Sequence, residues 1–153
     1  MHPSPLLGAT LTGLLAACGS VRFERAWEAA APAPARAPSA PEAPPRERWE
    51  GSWRSEWNGH EGGLRCLMWR VDEHHLHAWF LSTYARILSF EHDTLFHLEP
   101  RGDGAFTLSG SQDLGALVGG VYTYDGELDD RHFRATYSAE NGDHGVFELT
   151  RVE

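Results

Sequence analysis

The sequence predicts an all-β fold, a single antiparallel, roughly eight-stranded up-and-down barrel occupying residues 48–153 of the 153-residue chain. Three observations lead there. Residues 49–57 alternate strictly, with Trp49, Gly51, Trp53, Ser55 and Trp57 on one side and Glu50, Ser52, Arg54 and Glu56 on the other. Period two with one apolar side marks a half-buried strand. Beyond residue 48 no stretch sustains a helical apolar period, and turn chemistry recurs at intervals of roughly 10 to 14 residues. A sandwich of the same strands is the alternative.

Composition divides the chain. Residues 1–47 hold most of the prolines and a long Ala-rich run, whereas residues 48–153 hold five of the six Trp and nearly all the glycines. The latter segment is long enough for one modest core, so aromatic side chains must supply much of its buried area. It carries nine Arg against 18 acidic residues, the whole excess behind the net charge of -9. An acidic surface repels phosphate backbones, which argues against nucleic acid as a partner. All 13 basic residues are Arg, which also removes Lys nucleophile and Schiff-base chemistry.

Taken from the N-terminus, residues 6–17 form a 12-residue run of Leu, Ala, Gly and Thr, too short to span a bilayer and of the length of a signal-peptide core. The run ends in Leu15-Ala16-Ala17-Cys18, which resembles the bacterial lipoprotein signal. That resemblance implies a signal peptide at residues 1–17, cleavage before Cys18 and acyl chains on Cys18. Several chains anchor far more firmly than one, so the expected address is the cell envelope, with an outer-membrane or periplasmic face favoured. Residues 18–47 are expected to act as a tether. Within it, residues 21–31 suit either two or three helical turns, with Phe23 and Trp27 at i and i+4 able to rest on a membrane surface, or a disordered segment. Residues 30–45 alternate Ala and Pro, a composition that favours an extended spacer.

In the domain, residues 49–57 are the first predicted strand, and the turn 58–63 leads into a second at 64–71. Residues 72–74 turn into a third at 75–82. The fourth, 89–99, places Phe90, His92, Thr94, Phe96 and Leu98 on the Trp side. Pro100 to Gly104 is hairpin chemistry leading to 106–111. The sixth is expected at 117–124, ending at Asp125-Gly126, and the seventh at 132–139 turns Phe133, Ala135 and Tyr137 inward. Asn141-Gly142, a strong hairpin signal, leads into the last at 146–151.

Gly51-Ser52-Trp53 in the first strand and Arg151 in the last resemble the calycin pattern of lipocalins, fatty-acid-binding proteins and avidins. The resemblance implies a calycin-like barrel in which Gly51, Trp53 and Arg151 close one end, a cation lying over an indole. Gly119-Gly120-Val121-Tyr122-Thr123-Tyr124, Phe133-Arg134-Ala135-Thr136-Tyr137 and Gly145-Val146-Phe147-Glu148-Leu149 look like a family of small bacterial envelope proteins with no assigned activity.

Few residues suggest chemistry. His75 and His77 share a strand face and could present two imidazoles to a metal, but two ligands need a third from elsewhere, so no metal site is assigned. His60 and His144 read as turn residues. His92 is more informative, because an inward imidazole needs partners for its ring nitrogens, and Tyr122, Tyr124 and Tyr137 offer hydroxyls. Cys66, between Leu64 and Met68 in alternation, reads as a buried small hydrophobe. No nucleophile elbow, HExxH motif or phosphate loop is present in the sequence, and no cofactor is implied.

These observations point to a non-catalytic binding module. A small apolar or amphipathic ligand would lie among Trp53, Trp57, Phe90, His92, Tyr124 and Tyr137, and the membrane would be met through Cys18. A solid barrel that binds another envelope protein is the alternative, and an uncharacterised metal-binding or hydrolytic protein a third. A cavity separates the first reading from the second.

Overall fold

A computed structural model of the chain describes residues 12–30 and 45–153, with side chains described from Ser20 onward in the first segment. Helix α1 (Thr12–Ala29) precedes eight strands. These are β1 (Glu47–Ser55), β2 (Glu61–Arg70), β3 (His75–Tyr84), β4 (Leu88–Pro100), β5 (Phe106–Asp113), β6 (Val121–Leu128), β7 (His132–Ala139) and β8 (His144–Arg151). Each pairs antiparallel with the next and β8 returns to β1, so the expected all-β, up-and-down barrel is closed. Closure removes both sheet edges.

The interior is built by alternation. Trp49, Leu64, Cys66, Met68, Phe80, Phe96, Phe133, Tyr137, Phe147 and Leu149 share one core. Phe80 sits at its centre, with ring centroids 5.0 Å from His92, 5.5 Å from Phe147, 6.1 Å from Phe133 and 6.4 Å from Phe96. The middle of the barrel is therefore filled by side chains.

Two expectations about strand limits are corrected. Strand β1 stops at Ser55, whose hydroxyl accepts from the Asn58 backbone N–H at 3.3 Å. This turn carries Trp57 out of the alternation, leaving it 57% exposed. Residues 117–118 lie not in a strand but in a 3-10 turn (Ala116–Val118) flanked by Gly115 and Gly119 at φ of 84° and 115°, a region that favours glycine. Strand β6 then runs straight through Asp125-Gly126. Gly126 is required there by contact, since a Cβ would sit 2.1 Å from the Arg134 carbonyl oxygen on β7.

The implied closure by a cation over Trp53 is also corrected. Arg151 lies opposite Trp49, whereas Trp53 lies opposite Phe147, four residues along and toward the other end. Arg151 Nη2 instead pairs with Glu47 Oε1 at 2.9 Å. Cations over aromatic rings at that end are Arg70, 4.4 Å from the Phe106 centroid, and Arg46, 4.6 Å from that of Trp69. Gly51 keeps a structural role, because a Cβ there would lie 1.9 Å from the Glu148 carbonyl oxygen.

Helix α1 lies on the outside of the wall. Phe23 and Trp27, one turn apart, are buried against Leu67 and Leu81, with Trp69 and Trp79 at the margin. Arg65 of β2 grips Glu24 with two hydrogen bonds, one of 2.9 Å to Oε2, and holds that carboxyl below its usual range. Its guanidinium also lies 5.3 Å from the Trp27 centroid. The residues expected to rest on a membrane are thus packed on the barrel itself. Residues 1–11 and 31–44 lie outside the described residues, as does the Cys18 side chain.

Candidate functional site

Four connections, β1–β2, β3–β4, β5–β6 and β7–β8, gather at one end of the barrel, and beneath them the core stops short. A cavity of about 230 Å³ opens there, walled by Trp53, Phe90, His92, Tyr122, Tyr124, Tyr137 and Phe147, with Asp143 at its side. Of the six residues singled out as ligand contacts, Trp53, Phe90, His92, Tyr124 and Tyr137 meet around this space, and Trp57 does not.

Each wall residue is held by a local cause. Trp53 faces Gly62 across β1 and β2, and its indole reaches past that glycine to donate from Nε1 to the Thr83 carbonyl of β3 at 3.0 Å. A Cβ on Gly62 would lie 1.7 Å from that same carbonyl oxygen and 2.8 Å from the indole nitrogen. Tyr122 donates its hydroxyl proton to the Val118 carbonyl at 2.9 Å, tying the β5–β6 connection to the wall. Ser55 donates to Asp143 Oδ1 at 2.6 Å, and the Tyr137 hydroxyl reaches the same oxygen at 3.4 Å. Burial, and then the Asp143 charge, raise the Tyr137 phenol well above its ordinary range.

His92 is the unusual member. It is 7% exposed and lies between Phe80 and Phe90, with centroids at 5.0 and 5.7 Å and ring planes within 25° of parallel. Neither ring nitrogen has a hydrogen-bond partner, so the tyrosine hydroxyls expected to serve it do not reach. Burial pushes its pKa down to about 4, against a smaller opposing pull from Asp93, and the ring is neutral at pH 7. The Tyr124 hydroxyl, from another strand of the same cavity wall, is also without a partner. Thr94 is near enough to influence that phenol, yet neither hydroxyl completes a well-formed bond. Buried polar atoms left unpaired each cost about 1–3 kcal/mol, and two such side chains adjoin one empty space.

Around the opening, the β3–β4 and β5–β6 connections carry the exposed apolar residues Ile87, Leu88, Leu117 and Val118. Ala85 and Arg86 hold positive φ of 51° and 63°, uncommon and costly for residues with a Cβ.

Elsewhere the concavities are of another kind. At the opposite end a space of about 270 Å³ is bordered by Trp49, Phe106, Arg70, Asp129 and the Arg151–Glu47 pair. Trp49 Nε1 is unpartnered there, but the charged residues are largely engaged with protein groups. A third, about 660 Å³, is an open charged groove along Arg46, Arg131 and Glu153. His75 and His77 face outward and pair with Asp72 and Asp93 at 2.9 and 3.0 Å. Among the described residues no three His, Cys, Asp or Glu side chains converge as metal ligands, and no helix is long and apolar enough to cross a membrane. Cys66 is buried and unbridged, its thiol pushed well up by burial, as befits a core residue.

Sequence reading missed Asp143 and Phe147 as wall residues. Phe147 was visible in the alternation of the last strand, but Asp143 sits in hairpin-turn sequence and only closure of β8 onto β1 carries it to Ser55. No family model matches this chain, and neither does any curated protein or solved structure.

Proposed function

We propose that this chain is an envelope lipoprotein, anchored through Cys18, whose barrel is a non-catalytic binding module for a small apolar or amphipathic ligand. The observation that carries the binding role is the cavity of about 230 Å³ with the unpartnered His92 and Tyr124 on its wall. A pocket with mostly apolar walls and a few convergent polar groups is the usual form of a small-molecule site. The catalytic reading has less support, since the cavity carboxylate, Asp143, is already shared by the Ser55 and Tyr137 hydroxyls. A solid barrel that docks a partner is supported less well too, because the buried apolar patch on the outer wall is covered by α1.

The cavity is tested by titrating ¹⁵N-labelled protein with indole. Amide shifts should be confined to the strands around Trp53, His92 and Tyr137 and be lost in Ser82→Phe, which puts a ring into the space. Shifts scattered over the outer wall, or unchanged in that variant, would remove the cavity from the proposal. The anchor is tested separately by metabolic labelling with an alkynyl fatty acid in a bacterial host: label on the wild-type chain and none on Cys18→Ser is the expected result, and an unlabelled wild type refutes it.

A further inference from the structure

We propose that the cavity selects an uncharged, flat molecule of one or two fused rings that offers both a hydrogen-bond donor and an acceptor, and that it rejects carboxylate-bearing chains. This deepens the ligand-binding reading above and rests on it.

Size sets the first limit. A dry protein cavity of roughly 150 Å³ holds benzene, so about 230 Å³ corresponds to roughly nine or ten non-hydrogen atoms on the same scale. That is one fused bicyclic ring, and far less than a long acyl chain.

Shape follows from the walls. Phe80 and Phe90 cover both faces of His92, so only the edge of the ring borders the cavity. Tyr122 and Tyr124 are stacked at 24° between planes on the neighbouring wall. Flat aromatic walls favour a flat aromatic guest, which can stack or meet them edge to face.

Polarity is set by the unpaired atoms. A neutral imidazole has one N–H to give and one lone pair to receive, and a phenol hydroxyl can do either. These atoms have almost no accessible surface, so a guest meets them through a small turn of the side chain; one with only apolar surface leaves His92 and Tyr124 as they are, whereas one with a complementary pair satisfies both in surroundings that strengthen each bond.

Charge supplies the exclusion. Among the described residues the cavity wall contains no Arg, the chain has no Lys, and the one formal charge present is the Asp143 carboxylate. An incoming carboxylate would lose its water, find no cation and face a like charge. The rim is apolar at Ile87, Leu88, Leu117 and Val118, and Arg86, exposed in the β3–β4 connection, stands outside the cavity lining.

The test uses the full chain at about pH 7.5 and three probes: benzimidazole, its hydrocarbon analogue indene, and decanoate. Calorimetric or NMR titration should give benzimidazole a Kd on the order of 0.1 mM, in keeping with so few atoms, and at least about tenfold tighter than indene, the worth of one good buried hydrogen bond. Decanoate should be the weakest of the three. In His92→Phe the preference for benzimidazole over indene should shrink to about threefold or less, with Tyr124→Phe as the second variant showing a smaller loss. Equal binding of benzimidazole and indene, tighter binding of decanoate, or an undiminished preference in both variants would overturn the ligand class while leaving the cavity as a binding site. No binding of any probe by about 5 mM would overturn the binding role as well.

Discussion

Replacing His92 by Phe should make the protein more stable, an unusual direction for a change in a barrel interior. The imidazole is nearly enclosed and both its nitrogens are unpartnered, whereas a phenyl ring in the same stack between Phe80 and Phe90 has no polar atom to leave unsatisfied. At 1–3 kcal/mol per orphaned group, less some crowding from the larger ring that the adjoining cavity can absorb, the gain at pH 7.5 is about 1–3 kcal/mol. Acid should widen it. The folded-state pKa of about 4 lies below the ordinary 6.5, so the unfolded chain takes up this proton first. The wild type therefore holds its full stability above pH 6.5 and loses about 1.4 kcal/mol per pH unit as pH falls toward 4. At pH 5 the variant should lead by about 2 kcal/mol more than it does at pH 7.5. Urea unfolding of both proteins at the two pH values measures this, and a ¹H NMR titration of the His92 ring reads the pKa directly. A variant no more stable than wild type at pH 7.5, with no extra lead at pH 5, would mean that the imidazole is satisfied, for instance by ordered water, and that the cavity has no polar demand to meet.

Other perturbations separate the packed regions from the docked ones. Trp27→Ala should free α1 from the wall, seen as faster hydrogen exchange and proteolysis of residues 20–30; the loss is limited to the docking energy of the helix, about 2–4 kcal/mol, and the barrel should still melt cooperatively. Gly126→Ala should cost about 3 kcal/mol or more, because its Cβ would meet the Arg134 carbonyl oxygen at 2.1 Å and the β6–β7 backbone must move. Gly59→Ala, at φ +76° with open space around it, should cost only about 1 kcal/mol; equal costs in chemical denaturation would refute the distinction between close approach and backbone conformation. With Cys18 as the anchoring residue, the five residues to Phe23 span roughly 8 Å of helix, so neutron reflectometry of the lipidated protein on a supported bilayer should place the barrel against the headgroups. Trp27→Ala should then let it move outward; a wild-type barrel already held several nanometres away would contradict this.

The barrel was legible because its defining signal is local. Alternation from Trp49 and from Phe90 to Leu98 needs no knowledge of partners, and Asn141-Gly142 is a turn wherever it occurs. Signals that depend on what lies across the sheet were less readable. Asp125-Gly126 has the composition of a turn, yet Gly126 is explained by the neighbouring strand's carbonyl, which no spacing reveals. Trp57 continued a pattern that Ser55 had already ended through its bond to Asn58. The docked helix did leave a trace: residues 64–69 are apolar at Leu67 and Trp69 as well as at Leu64, Cys66 and Met68, and a strand apolar on both sides has both faces covered. Of the candidate site, the wall aromatics followed from alternation, but the absence of a partner for His92 depends on distances of a few ångströms between tyrosines on other strands.

Departures from ordinary protein construction are unevenly distributed in this fold. The central rings of Phe80, Phe96 and Phe133 pack on one another, and Phe80 packs on Phe147 as well. At the end beneath the β3–β4 and β5–β6 connections, a nearly enclosed imidazole and a phenol go without partners, two residues with Cβ atoms hold positive φ, and bulky aliphatic side chains stand in solvent. The opposite end offers a contrast: its one orphan among the described residues, Trp49 Nε1, sits beside the Arg151–Glu47 pair and beneath Arg70, charged groups that already engage protein partners. Local rules broken together, next to an empty volume of matching polarity, are more economically explained by a guest than by independent defects. A ligand that supplied the missing hydrogen bonds would relieve His92 and Tyr124 at once and cover apolar surface at the rim. Stability and binding therefore pull against each other at His92, and the substitution that most improves the first should most reduce selectivity in the second.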